Sequence, residues 1–143
     1  MFECEACRDE MSVTTTILIV DDEPGIVDIM TEYLSRYIDD LEVIPALDGE
    51  AALEKISELK GEGRLPQMTL MDLKMPVMDG ISCTKKLTEQ GVENVHILTA
   101  YVDRELISKA VSAGAKGLLM KSEGLRTIAM KVAEMIRVMR PST

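Results

Sequence analysis

The sequence predicts an α/β domain: a doubly wound, five-stranded parallel sheet in the order 2-1-3-4-5 with helices on both faces. Three observations lead there. Five short apolar runs alternate with five segments whose apolar residues recur at helical spacing, the pattern of repeated strand-helix-strand units joined by right-handed crossovers. Runs such as Ile17-Leu18-Ile19-Val20 are continuously apolar, which fits strands buried on both faces of a parallel sheet. Four of the five runs stop at a polar residue suited to the carboxyl edge of the sheet, where ligands bind in open α/β folds.

The bulk numbers bound the function. A chain of 143 residues is one domain by length and large enough for a core without staples. Its 46% hydrophobic and 29% charged residues belong to a soluble globular protein. Eleven Met against one Phe, three Tyr and no Trp mean that aliphatic and thioether side chains fill the interior. The formal charge of -9 argues against a nucleic-acid surface and suits a site that attracts divalent cations. No apolar stretch approaches the ~18 residues of a membrane span, and Met1-Phe2-Glu3-Cys4-Glu5 lacks the basic-then-apolar start of a signal peptide, so the expected compartment is the cytoplasm. Cys4 and Cys7 have C-x-x-C spacing, half of a zinc site; with Cys83 they make three, expected to stay reduced, and the pair is read as part of an unremarkable tail.

Residues 1–15 show no apolar periodicity and are read as a flexible extension, residues 16–140 as the domain, and 141–143 as a tail. After the first run, Asp21-Asp22-Glu23 precedes Pro24, which suits the first turn of a helix whose stripe is Ile26, Ile29, Met30, Tyr33, Leu34 and Tyr37. Val43-Ile44-Pro45-Ala46 is a strand that Pro45 confines to a sheet edge. A helix from about Glu50 to Lys60 follows, then a loop, then Met68 to Met71, a buried strand that delivers Asp72 to its end. Asp79-Gly80 turns into a third helix, about Ile81 to Gln90, which Gly91 closes as a left-handed cap. Val95-His96-Ile97-Leu98 closes on Thr99, and mid-strand His96 is read as a packed residue without chemistry. Asp103 caps a fourth helix carrying Leu106, Ile107, Ala110 and Val111. Gly117 to Met120 stops at Lys121, and Ser122 caps the last helix, with Leu125, Ile128, Ala129, Val132, Ile136 and Met139 as its stripe and Pro141 at its close.

With that strand order, the first and third strands meet at the topological switch point, where a crevice opens. Asp21, Asp22 and Asp72 converge there, flanked by Thr99 and Lys121. Three carboxylates in one crevice repel one another, so they hold a proton or a hard cation, and few oxygen ligands with room for water describe Mg2+ better than calcium. An aspartate nucleophile, a lysine ammonium and a hydroxyl donor suit phosphoryl transfer to Asp72. A single Asp at a strand end is more often a turn or cap residue; four complementary strand ends weigh the other way.

Ile17 to Glu23, Met71 to Gly80, Leu98-Thr99-Ala100 and Gly117 to Lys121 resemble the receiver domain of two-component response regulators, a flavodoxin-like, chemotaxis-type fold, over residues 16 to about 140. The resemblance implies Asp72 as phosphoacceptor, Asp22 and Asp72 as side-chain Mg2+ ligands, Asp21 as an acid acting through water, and the main-chain carbonyl of Lys74 as a further ligand. It implies Thr99 and Lys121 as the phosphate-binding hydroxyl and ammonium. The implied partners are a sensor histidine kinase or phosphotransfer protein as donor, and a downstream protein bound through the fourth helix, fifth strand and fifth helix. No membrane, no direct nucleic-acid contact and no catalysis beyond the protein's own aspartyl phosphorylation and dephosphorylation are implied; homodimerisation through the last helix is left open.

Two departures stand out. Leu118 occupies the place of the family's Tyr or Phe, so the usual hydroxyl-aromatic coupling is in doubt and Tyr101 is a candidate gate. Ser122 replaces the proline that often follows the lysine; without proline a cis bond costs about 3 kcal/mol, and a trans bond is expected. Lys74, two residues past Asp72, is expected to influence the lifetime of the phosphorylated state. The competing functions are a phosphorylation-independent adaptor with a receiver fold, which Leu118 favours, and an Mg2+-dependent aspartyl phosphatase, which lacks its second acid and covering insertion. Within these 143 residues no output segment follows, so the expectation is a stand-alone receiver or a fragment cut at Pro141.

Overall fold

In the computed structural model, residues 14–73, 75, 78–100 and 103–139 are described. Five strands, β1 (Thr15–Val20), β2 (Leu41–Ala46), β3 (Met68–Met71), β4 (Val95–Thr99) and β5 (Gly117–Met120), form one sheet in the order β2-β1-β3-β4-β5, with every neighbouring pair parallel. Five helices connect or follow them: α1 (Pro24–Tyr37), α2 (Gly49–Gly61), α3 (Gly80–Glu89), α4 (Arg104–Ala113) and α5 (Leu125–Met139). The predicted order and alternation are what the structure has.

The two faces of the sheet explain the continuous apolar runs. Ile17, Ile19, Met68, Leu70, Leu98 and Leu119 pack under α1 and α5. Leu18, Val20, Met71, Val95 and Ile97 pack under α2, α3 and α4. Alternate residues of one strand therefore enter opposite halves of the core, so no polar face is left to alternate. Pro45 lies on β2, the sheet edge, where its missing N–H costs no ladder bond.

Local rules set the ends. Pro24 is at the start of α1. Asp48 Oδ1 accepts from Ala51 N at 2.7 Å, Asp79 Oδ1 from Ser82 N at 2.9 Å, and Asp103 Oδ1 from Glu105 N and Leu106 N. Gly91, at φ +93°, closes α3 with Val92 N donating to Leu87 O and Gly91 N to Thr88 O, the paired bonds of a left-handed cap.

Four expectations are corrected. In the stripe of α1, Met30 and Leu34 are buried and Ile26, Tyr33 and Tyr37 pack at its margin as expected, but Ile29 is 44% exposed and Val27 is buried in its stead. Val111 on α4 and Met139 on α5 are exposed, because only Ala110 of α4 is fully covered and the buried stripe of α5 is Ile128, Ala129, Val132, Ala133 and Ile136. Ser122 does not cap α5: Lys121–Glu123 forms a 3-10 turn, and Gly124 O accepts from Ile128 N at 3.0 Å to start the helix. β1 begins at Thr15, inside the expected extension, with Thr15 N donating to Asp40 O at 2.9 Å and the residue buried. Cys4, Cys7 and Pro141 lie outside the described residues.

His96 is packed as a strand residue. Its ring lies over Gly117, its partner on β5, where a Cβ would come within 2.7 Å of Nδ1. Burial holds its imidazole below the usual histidine range. Unfolded histidine near 6.5 therefore takes up a proton that the folded one refuses, so this residue makes stability fall as pH drops below about 6.5. Denaturant midpoints at pH 5, 6 and 7 are expected to show a shallower acid slope for His96→Asn than for the parent. The corrected stripe makes a second prediction: Met30→Ala loses about 2–5 kcal/mol in urea unfolding, and Ile29→Ala less than about 1 kcal/mol.

Candidate functional site

The switch-point crevice collects the predicted acids. Asp21 follows β1, with its N–H donating to Ala46 O at 3.0 Å. The residue is buried, and Oδ1 accepts from Glu23 N at 2.9 Å, a turn that fixes the carboxylate. Asp72 follows β3, also buried, with its N–H donating to Val20 O at 2.9 Å, so the ladder between β1 and β3 continues to it. Asp22 is exposed at the mouth. One carboxylate oxygen from each of Asp21, Asp22 and Asp72 lies within 4.8 Å of the others.

Lys121, directly after β5, reaches back across the sheet end. Its Nζ is 3.0 Å from Asp21 Oδ2, 3.7 Å from Asp72 Oδ2 and 3.9 Å from Glu23 Oε1. Burial lowers the ammonium's pKa, but its close contact with the Asp21 carboxylate and the charges of Asp72, Asp21 and Glu23 outweigh it and hold Lys121 above the ordinary lysine range. The lysine is therefore a permanent cation in the crevice. Thr99 ends β4, buried, and pairs with Met120, so it lies one strand from each of Asp72 and Lys121.

The sequence marks Gly80 as a turn residue, and the structure gives it a larger role. A Cβ there would stand 2.1 Å from Asp72 O and 2.7 Å from Leu73 Cα, while Gly80 N donates to Leu73 O at 2.9 Å. The first turn of α3 therefore presses against the backbone of Asp72, an approach only glycine allows. The dipeptide Asp79-Gly80 carried that signal: a cap followed by a residue without a side chain. Glu23, the third acid near Lys121, also went unassigned. Lys74 and Tyr101 lie outside the described residues. Leu118 is half-buried against the α2–α4 side of the core.

The donor set fits a hard divalent cation. Three carboxylates against one ammonium leave excess negative charge, all the carboxylate ligands are oxygens, and buried Asp21 Oδ2 has its ionic contact with Lys121 but no aligned hydrogen bond. A groove of about 700 Å³ opens beside Asp22, floored by Leu73, Met75, Ile81 and Leu106, and gives solvent access. Gly80→Ala is expected to destabilise the fold by about 1–3 kcal/mol through overpacking. Urea unfolding measures that loss, and amide spectra should show the Asp72–Leu73 signals moving most.

The sequence model of the response regulator receiver domain matches residues 17–133. Transcriptional regulatory protein LnrK of Bacillus subtilis is 36% identical over 121 residues, covering 81% of this chain and 51% of LnrK. Transcriptional regulatory protein PdtaR of Mycobacterium tuberculosis is 32% identical over 113 residues, covering 78% of this chain and 52% of PdtaR. Among solved structures, a CheY-like response regulator receiver domain protein of Methanospirillum hungatei superposes with a TM-score of 0.73 at 27% identity, covering 88% of this chain and 96% of that one. The chain spans about half the length of these two curated relatives.

Proposed function

The chain belongs to the response regulator receiver domain family, whose role is phosphorylation-based signalling, and from that premise we propose that it is a switch that accepts a phosphoryl group on Asp72. The observation that carries the reading is Lys121 Nζ at 3.7 Å from Asp72 Oδ2 and 3.0 Å from Asp21 Oδ2, among three converging carboxylates. Asp22 and Asp72, with Asp21 through water and the main-chain carbonyl of Lys74, would hold Mg2+. When bound, the ion supplies positive charge to the phosphoryl oxygens and relieves the repulsion among the carboxylates.

The chemistry of the chain's own residues follows. An oxygen of Asp72 attacks phosphorus, forming an acyl phosphate, while the bond from phosphorus to the donor breaks and the donor leaves with its electron pair. Lys121 gives its ammonium to a phosphoryl oxygen and Thr99 its hydroxyl to another. Burial of Asp72 limits the freedom of its carboxylate, and the backbone bonds of Asp72 and Gly80 fix its direction. The donor is a sensor histidine kinase or phosphotransfer protein, and the target binds the face made by α4, β5 and α5. The receiver unit begins with β1 at Thr15 and runs to about residue 140, with the residues before it as an extension and 141–143 as a tail.

Incubation with Mg2+ and acetyl phosphate, followed by intact-mass spectrometry, is expected to give one phosphoryl adduct in the parent and none in Asp72→Asn or after chelation of the metal. Lys121→Met is expected to lower the adduct rate about 100-fold, as loss of one charge-stabilising donor does elsewhere. Absence of an adduct in the parent would leave the phosphorylation-independent adaptor as the better reading, and turnover of small phosphate esters would point to the phosphatase.

A further inference from the structure

The turn that carries Lys121 has an anchor on the far side from the acids. β5 is the edge strand and ends at Met120. Met120 N donates to Glu123 Oε2 at 3.3 Å, closing the 3-10 turn Lys121–Glu123 from inside. The other oxygen of the same carboxylate, Oε1, pairs with Lys131 Nζ on α5, two turns into the helix. The Lys131 pairing and the Met120 amide together hold the Glu123 carboxyl below the usual range, so it stays ionised.

The sequence around the turn is otherwise permissive. Ser122 imposes no ring constraint, and Gly124 sits at φ +95°, so nothing covalent restrains the chain between β5 and α5. Yet the lysine between Met120 and Ser122 must keep its ammonium 3.0 Å from one acid and 3.7 Å from another. Thr99 pairing with Met120 holds one side of that backbone. The Glu123 carboxylate holds the other.

We propose that Glu123 is a positioning residue for Lys121, and that Lys131 is its anchor on α5. The proposal rests on the phosphoryl-acceptor reading of the crevice for its functional consequence, but the strut itself exists without phosphate. Because the Glu123–Lys131 pair is largely exposed, it adds little to global stability, and its effect is local. A ligand that draws Lys131 away on the α5 surface would loosen the turn behind Lys121, and a change at Lys121 would be felt at Lys131. The structure thus supplies a polar path between crevice and α5 that does not pass through position 118.

The test uses the whole chain and three variants. In the unphosphorylated protein, NMR is expected to show faster hydrogen exchange at the Met120 amide and shifted Lys121 side-chain resonances in Glu123→Ala. Glu123→Gln, which keeps an acceptor for the amide, should restore most of both signals, and Lys131→Met should fall between. With Mg2+ and acetyl phosphate, adduct formation should slow about tenfold in Glu123→Ala, since small misplacement of a charge-stabilising group costs rate steeply. Mg2+ affinity should stay within about twofold, and the melting temperature within about 3 °C. Unchanged exchange and resonances in Glu123→Ala would overturn the strut. An unchanged adduct rate, or a slowing matched by equal loss of Mg2+ affinity and melting temperature, would overturn its positioning role. A parent that forms no adduct would count against Asp72 as acceptor, while the two NMR signals still decide whether Glu123 holds Lys121.

Discussion

The contact between Lys121 and the acids at the end of β1 and β3 is the constraint on which the rest depends. Three carboxylates with oxygens within 4.8 Å of one another are a costly cluster, and Asp21 and Asp72 are buried as well. One ammonium offsets part of that charge and no more. The remainder is negative charge that a hard cation would offset, which is why the donor set fits the proposed Mg2+ and phosphoryl chemistry. The sheet order is the means: only because β1 and β3 are neighbours, with their crossovers leaving toward opposite faces, do residues 21 and 72 meet at an open edge.

The members of the cluster are held with different firmness, and the difference has a chemical use. Asp72 sits at the end of a strand buried on both faces, hydrogen-bonded to Val20 and backed by Gly80, so its carboxylate has little freedom. Asp22 is exposed, and Lys121 hangs from an edge strand and a three-residue turn. In the proposed role of Asp72, a rigid nucleophile surrounded by adjustable charges would keep its line of attack while its surroundings follow a group of changing charge. Putting the softness on the nucleophile instead would cost orientation.

What the sequence reveals and conceals follows from the physics of each element. β1 and β3 are legible because burial on both faces leaves no choice but continuous apolar residues. The acids and lysine are legible because charged residues abutting such runs have few structural reasons to be there in that combination. The stripe of α1 was legible except at one place: Ile26, Val27, Ile29, Met30, Tyr33, Leu34 and Tyr37 are all apolar or aromatic, and packing against the sheet and α5 buries Val27 and leaves Ile29 exposed. Ser122 has the composition of a cap but loses that role because Glu123 closes the preceding turn and Gly124 starts the helix. Gly80 looks like an ordinary turn glycine until the Asp72 carbonyl is found behind it. In each miss a tertiary contact chose between local alternatives that propensity ranks equally.

Leu118 raises a question about coupling that packing helps to answer. A half-buried leucine against the α2–α4 core cannot exchange between a buried and an exposed ring position as an aromatic residue does, and it has no polar end to follow a moving hydroxyl. A switch in this chain therefore needs another two-state element. Lys121 qualifies on geometry, because its ammonium already lies between Asp21 at 3.0 Å and Asp72 at 3.7 Å, and negative charge added to Asp72 would shift that balance toward Asp72. Moving the ammonium pulls on a turn whose other end is tied to α5 through Glu123 and Lys131. An ion redistribution of this kind needs no aromatic ring, and its range is the length of one lysine and one glutamate side chain.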